Sequence, residues 1–306
     1  MSELAIHLRK DARMLMTDPM FIILVVALAG VAFIIALVSS TGYVNGMTYG
    51  GDVVTEASLQ RQQTLALANY WGTIAGIFMA IFTVIASLAL TGEKESGMVS
   101  YLLTYRTSKL WFYTSKFLVL LSVVALALMI ALAAYLIVFS VMDVPMLDAG
   151  TLAASMVFPT LVAVVFAAIG LLLSTLSKKK AGVIVAAVAL FFLLSFLSSA
   201  SIGLGVQAAY QANPHITAQN VTEYIPLEYK LLIYGNPLVL TGGTSIILGV
   251  HDTNSFWNPQ FYDLAGGVAL GLGMTLTWFM LGLLSFSRER MDKRWSTVLR
   301  ERLRTR

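Results

Sequence analysis

The run FLVLLSVVALALMIALAAYLIVFSV, residues 117–141, decides the fold: its 25 positions hold no Lys, Arg, Asp, Glu or His. A helix rising 1.5 Å per residue needs about 20 apolar residues to cross a hydrocarbon core about 30 Å thick, and this run exceeds that length. It is bounded by Lys116 before it and by Asp143 and Pro145 after it, so the apolar stretch has sharp ends. Five more runs share its character: 20–38, 70–90, 152–176, 181–200 and 264–286, none with a Lys, Arg, Asp, Glu or His.

Composition agrees. Of 306 residues, 58% are hydrophobic and 12% charged, against about 45–50% and about 25% in a soluble domain. So little charge cannot clothe a water-soluble surface, and so apolar a chain is not disordered. The absence of cysteine removes disulfide frameworks, thiolate metal sites, iron–sulfur clusters and a cysteine nucleophile. The fold class is therefore an all-α membrane protein with six transmembrane helices, read as one domain over 1–306.

A seventh apolar stretch, 231–250, carries Gly235-Asn236-Pro237 and Gly242-Gly243. Pro and paired Gly interrupt helices, and interrupted backbone at membrane depth survives only when protein shields it. The stretch is predicted to be a re-entrant or surface-lying pair of short helices. Charge supports six spans. With the N-terminus inside, 18 of the 20 Lys and Arg residues fall on one side, leaving Arg61 and Lys230 on the other. The positive-inside rule makes the basic side, with both termini, cytoplasmic. A seventh span would carry the basic tail, Arg288 to Arg306, outside. The first span is too long for the apolar core of a cleaved signal and lacks a convincing cleavage site, so it is expected to stay as an anchor.

Residues 1–18 are predicted to be an interfacial amphipathic helix, with Leu4, Leu8, Ala12 and Leu15 on one face and Arg9 and Arg13 opposite. Asp11 falls on the wrong face. Asp18-Pro19 reads as a cap followed by the first residue of the span. Residues 39–69 read as an outer loop whose later part is polar and helix-like. Tyr70-Trp71 read as aromatics of the outer interface, and Trp111-Phe112-Tyr113 as their inner counterpart. Residues 91–116 form an inner loop with a short helix from Met98 to Lys109, and 201–263 form the large outer segment. Pro159 is expected to kink or thin the fourth span. Gly72-x-x-x-Gly76 and Gly267-x-x-x-Gly271 permit close helix approach, within the bundle or along a dimer seam.

The spans hold none of the charged residues on which ion-coupled carriers rely, which weighs against a secondary transporter or pump. The chain shows no G-x-x-x-x-G-K-[ST], H-E-x-x-H or G-x-S-x-G, so it is not read as an enzyme. No metal site is read from the scattered His7, His215 and His251. The basic clusters are placed as topology signals and membrane-lipid contacts, not as a nucleic-acid surface. The 91–116 loop is different, because a topology signal needs no acids. Glu93 and Glu95 bracket Lys94 at the end of a span, a glycine follows, and then a segment that could transmit force from a soluble partner. A non-transporting membrane scaffold or assembly factor would share the topology but have no such partner.

The run Gly92-Glu93-Lys94-Glu95-Ser96-Gly97-Met98-Val99-Ser100-Tyr101-Leu102-Leu103, then Arg106-Thr107-Ser108-Lys109 and Ser115-Lys116, resembles the permeases of ABC-2 type transporters, in the NosY-like or multicopper-enzyme-maturation group. Family members show E-[KR]-E-x-G-[TS]-L-x-x-L-L and then a P-x-S-R-like segment; here Met98 replaces the usual Thr or Ser, and Tyr105-Arg106-Thr107-Ser108-Lys109 stand where Pro and Arg are common. The layout is similar over essentially the whole chain. The resemblance implies a half-transporter in the cytoplasmic membrane that pairs with itself or a second permease. Each half would bind a separately encoded ATP-binding subunit that holds the ATP and magnesium, leaving this chain without a cofactor. It implies that 91–116 is the coupling element, with Glu93, Lys94, Glu95, Gly97, Leu102, Tyr105 and Arg106 at or beside the ATPase contact. It implies that Gly235, Asn236 and Pro237 belong to an outer re-entrant gate. Export is the expected direction, and apolar spans with scattered Ser and Thr suit lipidic, peptide or drug-like cargo.

Overall fold

In the computed structural model, residues 3–17, 19–49, 56–99, 108–213, 215–216, 221–250 and 264–288 are described. Six helical spans are long and apolar enough to cross a membrane: Phe21–Asn45, Ser58–Glu95, Lys109–Val141, Ala149–Leu176, Lys180–Ala212 and Leu264–Arg288. In chain order the helices are α1 (Glu3–Thr17), α2 (Pro19–Tyr49), α3 (Glu56–Glu95), α4 (Lys109–Val141), α5 (Ala149–Ser155), α6 (Val157–Leu176) and α7 (Lys180–Ala212). Then come α8 (Val221–Tyr224), α9 (Leu227–Gly235), a 3-10 helix (Pro237–Gly242), α10 (Gly243–Ile247) and α11 (Leu264–Arg288). No strand occurs among the described residues.

Apart from Met20, one residue before its span, the six apolar runs lie within spans, but the helices overrun them. The expected 39–69 loop is largely absorbed, because α2 continues to Tyr49 and α3 begins at Glu56. The 91–116 loop shrinks from both ends, since 91–95 complete α3 and 109–116 open α4. A helix satisfies its own backbone, so it does not have to stop where the apolar run stops.

The centre of the bundle is the α3–α6 pair. The α5–α6 span is 67% buried over its most apolar stretch and α3 56%, against 17% for α2 and 11% for α7. Gly170 of α6 permits the approach: a Cβ there would lie 2.8 Å from Ala86 Cβ and closer still to the Thr83 carbonyl of α3. Tyr70 and Trp71 are wholly buried in this core rather than at an interface; Tyr70 donates its hydroxyl to the Ala131 carbonyl at 2.6 Å, and its ring tilts on Tyr135. Of the inner aromatic trio, Trp111 is exposed, but Phe112 and Tyr113 are buried against Phe286 of α11. The two small-residue motifs part company. Gly271 meets Leu161 of α6, whereas a Cβ on Gly72 would meet nothing within 4 Å.

The fourth span breaks at Met156, so Pro159 lies in the first turn of α6, where its missing N–H costs least. Proline cannot donate to the carbonyl four residues back, that of Ser155, and the Thr244 hydroxyl approaches that oxygen at 3.5 Å. Gly243 sits against the Phe158 ring, with room for no side chain. The interrupted 231–250 segment thus packs into the bundle. Its break falls at Asn236, as the Gly-Asn-Pro sequence predicts. No break occurs at Gly242-Gly243, where the backbone stays helical and only passes from 3-10 to α.

Candidate functional site

The motif residues sit where α3 ends. Gly97 adopts a left-handed φ of 74°, which glycine enters without steric cost. Its N–H reaches the Lys94 carbonyl at 3.0 Å, and the Ser96 N–H reaches the Gly92 carbonyl at 3.2 Å, closing the helix. Across the connection, Ser108 is extended and its carbonyl accepts from the Phe112 N–H at 3.0 Å, starting α4.

The three charged residues of the motif diverge. Lys94 donates Nζ to the Thr175 carbonyl at 2.8 Å, on the last turn of α6. Glu95 is exposed. Glu93 turns inward and is 4% exposed. On the far flank, Lys109 donates Nζ to the Ser287 carbonyl at 2.9 Å, on the last turn of α11. A cation beside a helix C-terminus meets unpaired carbonyls and the negative end of the dipole. The connection is therefore pinned to α6 on one side and to α11 on the other.

Glu93 is held by lysines from two helices. Lys116 Nζ of α4 lies 2.8 Å from Glu93 Oε1 and 2.8 Å from Asp11 Oδ1 of α1. Lys10 Nζ lies 3.0 Å from Glu93 Oε1 and 3.3 Å from Asp11 Oδ1. The Ser115 hydroxyl donates to Asp11 Oδ2 at 2.9 Å. Beneath them is the Phe112 ring, with the Lys10 and Lys116 ammonium groups 5.3 and 5.5 Å from its centroid and His7 edge-on at 5.6 Å. Two acids and two lysines make the cluster neutral, which is what its burial requires. Within this cluster, Glu93 Oε2 is buried without a hydrogen-bond partner.

The cluster gives a reason for the one residue that broke the amphipathic pattern of α1. The buried side of α1 carries His7 and Asp11, with Leu4, Leu8 and Ala12 half-buried beside them, while Ile6, Arg9, Arg13 and Met14 are exposed. Asp11 is thus the residue that docks the helix. Lys116, counted from the sequence among the 18 basic residues of one side, is 6% exposed and ion-paired. Its signal in the sequence was faint: a lysine set directly against an uninterrupted apolar run, and an acid out of place on an apolar face.

Of the predicted coupling residues, Glu93, Lys94, Glu95 and Gly97 are gathered at this end of the bundle; Leu102, Tyr105 and Arg106 lie outside the described residues. Gly235, Asn236 and Pro237 form a separate group. Asn236 is buried, donates Nδ2 to the Leu194 carbonyl of α7 at 2.7 Å and accepts from the Leu238 N–H at 3.1 Å. Lys180, which opens α7, lies against Gly92, and Leu194 is 14 residues further on. At 1.5 Å per residue the two groups are separated by about 20 Å along α7.

No curated protein matches the chain. A family model described as ABC-2 family transporter protein matches residues 5–291, from α1 to just beyond α11. That match takes in the six spans, the closed end of α3 and the interrupted segment before α11, and on it this multi-pass membrane protein belongs to the ABC-2 transporter family.

Proposed function

We propose that this chain is the permease half of an ATP-driven exporter in the cytoplasmic membrane, with the 91–116 region as the seat of a separately encoded ABC ATPase. Membership of the ABC-2 family implies such an ATPase partner. The observation that carries the reading is the anchoring of the connection's flanks: Glu93 to α1 and α4, Lys94 to α6 and Lys109 to α11. A push on a segment so tied moves several helices at once. The partner would hold ATP and magnesium, and its closure would rock the connection. Two permeases would pair with their sparsely buried helices, α2 and α7, towards each other or towards lipid. The Asn236 break, some 20 Å up the bundle, would belong to the outer gate. The motif's resemblance to the NosY-like group would make the cargo metal-linked.

Co-expression with the ATPase encoded beside this chain, extraction in mild detergent and sizing of the complex tests the reading. The expected result is a two-plus-two complex with vanadate-sensitive ATP hydrolysis, which Arg106→Glu uncouples while leaving the permease in the membrane. A lone permease that captures no ATPase would sink the proposal and favour a scaffold.

A further inference from the structure

We infer that α1 is a working part of the coupling joint, and that Lys116 is the positioning residue through which a displacement at the closed end of α3, Ser96-Gly97, reaches α1 and α4 together. The inference rests on the ATP-driven reading above. A helix serving only as a surface anchor would turn apolar residues to its support. Here the bundle-facing side of α1 presents Asp11 to Lys116 and Ser115 of α4, and Lys10 to Glu93 of α3. Buried ion pairs are poor sources of stability, and their best-attested use is to fix register between helices. Lys116 is the hub, 2.8 Å from an acid on each neighbouring helix.

The arrangement also has slack. Both lysines converge on one oxygen of Glu93 and one oxygen of Asp11, while Glu93 Oε2 is buried and unpartnered. Shifting either ammonium to Oε2 exchanges one strong contact for another and fills a vacant acceptor. Parting the helices would strand charge in an apolar setting. The joint can therefore change seat but resists coming apart. Glu93 precedes the left-handed Gly97 by one helical turn, so a displaced connection would swing the carboxylate, and Lys116 would carry α1 and α4 with it.

The test uses the full chain in complex with its ATPase, in lipid nanodiscs. The chain has no native cysteine, so Arg9→Cys on α1 and Lys179→Cys at the foot of α7, both exposed, accept spin labels without background from this chain when labelled before the ATPase is added. In the otherwise unmodified chain the distance between the labels should change on ATP binding. The double substitution Asp11→Asn with Lys116→Met removes one charge of each sign and leaves the Lys10–Glu93 pair, so the buried group stays neutral. It should still capture the ATPase, lose the distance change and lower permease-stimulated ATP turnover about tenfold. Lys116→Arg should retain both. If the double variant fails to accumulate, the isosteric Glu93→Gln supplies the same readings. Wild-type distance change and turnover in the double variant, or in Glu93→Gln where that replaces it, would overturn the joint alone. Failure of the unmodified chain to capture an ATPase would overturn the proposed function and the joint with it.

Discussion

A lysine at the foot of a membrane span usually extends to the headgroups, where its charge is solvated. Lys116 instead points inward, and removing it would leave Asp11 and Glu93 sharing Lys10. Lys116→Met should therefore cost about 3–5 kcal/mol, the usual penalty for breaking a buried pair from one side. Exposed Arg9→Gln should stay within about 0.5 kcal/mol. Thermal unfolding in detergent measures both, and equal midpoints for the two variants would contradict the buried network. The sequence showed Asp11 only as an anomaly in an amphipathic pattern. Its explanation lies 105 residues away, beyond any local periodicity. The motif singled out Glu93, but its inward direction was not legible, because the alternation Glu-Lys-Glu on a helix end does not say which residue faces the bundle.

At the scale of elements, the spans were legible because a run without charge has one stable setting, whereas their ends were not. Polar residues 56–69 continue α3 without a break, since nothing in their composition stops a helix that the span has already nucleated. Tyr70 and Trp71 misled for a related reason. Aromatics next to polar residues suit an interface, but they also fill a core, and the Ala131 carbonyl gives the Tyr70 hydroxyl its partner there. Pro159 marked a real interruption, displaced to Met156. Helix contact adds a test. Gly170→Ala would force α3 and α6 apart, because the obstacles are the Thr83 carbonyl and the Ala86 methyl, and should cost about 1–3 kcal/mol. Gly72→Ala meets no neighbour and should be neutral or mildly stabilising through helix propensity. Matched melting curves decide it; a neutral Gly170→Ala would mean that the two helices do not meet there.

Across the whole molecule, hydrogen bonds gather α1, the end of α3, the start of α4 and the ends of α6 and α11 at one end of the bundle. On the charge distribution, we propose that this end is cytoplasmic. In this cysteine-free chain, single cysteines test the assignment directly. Lys179→Cys should resist a membrane-impermeant maleimide in intact cells, and Glu223→Cys at the opposite end should react; the reverse pattern would invert the topology. The 105-residue gap between Asp11 and Lys116 also sets an order of events during biosynthesis. At about 5–20 residues per second, α1 waits about 5–20 s on the ribosome before its partner lysine is made. During that interval Asp11 has no docking site, and the first helix must lodge among headgroups. Locking of Asp11 thus waits until the nascent chain has begun its third span.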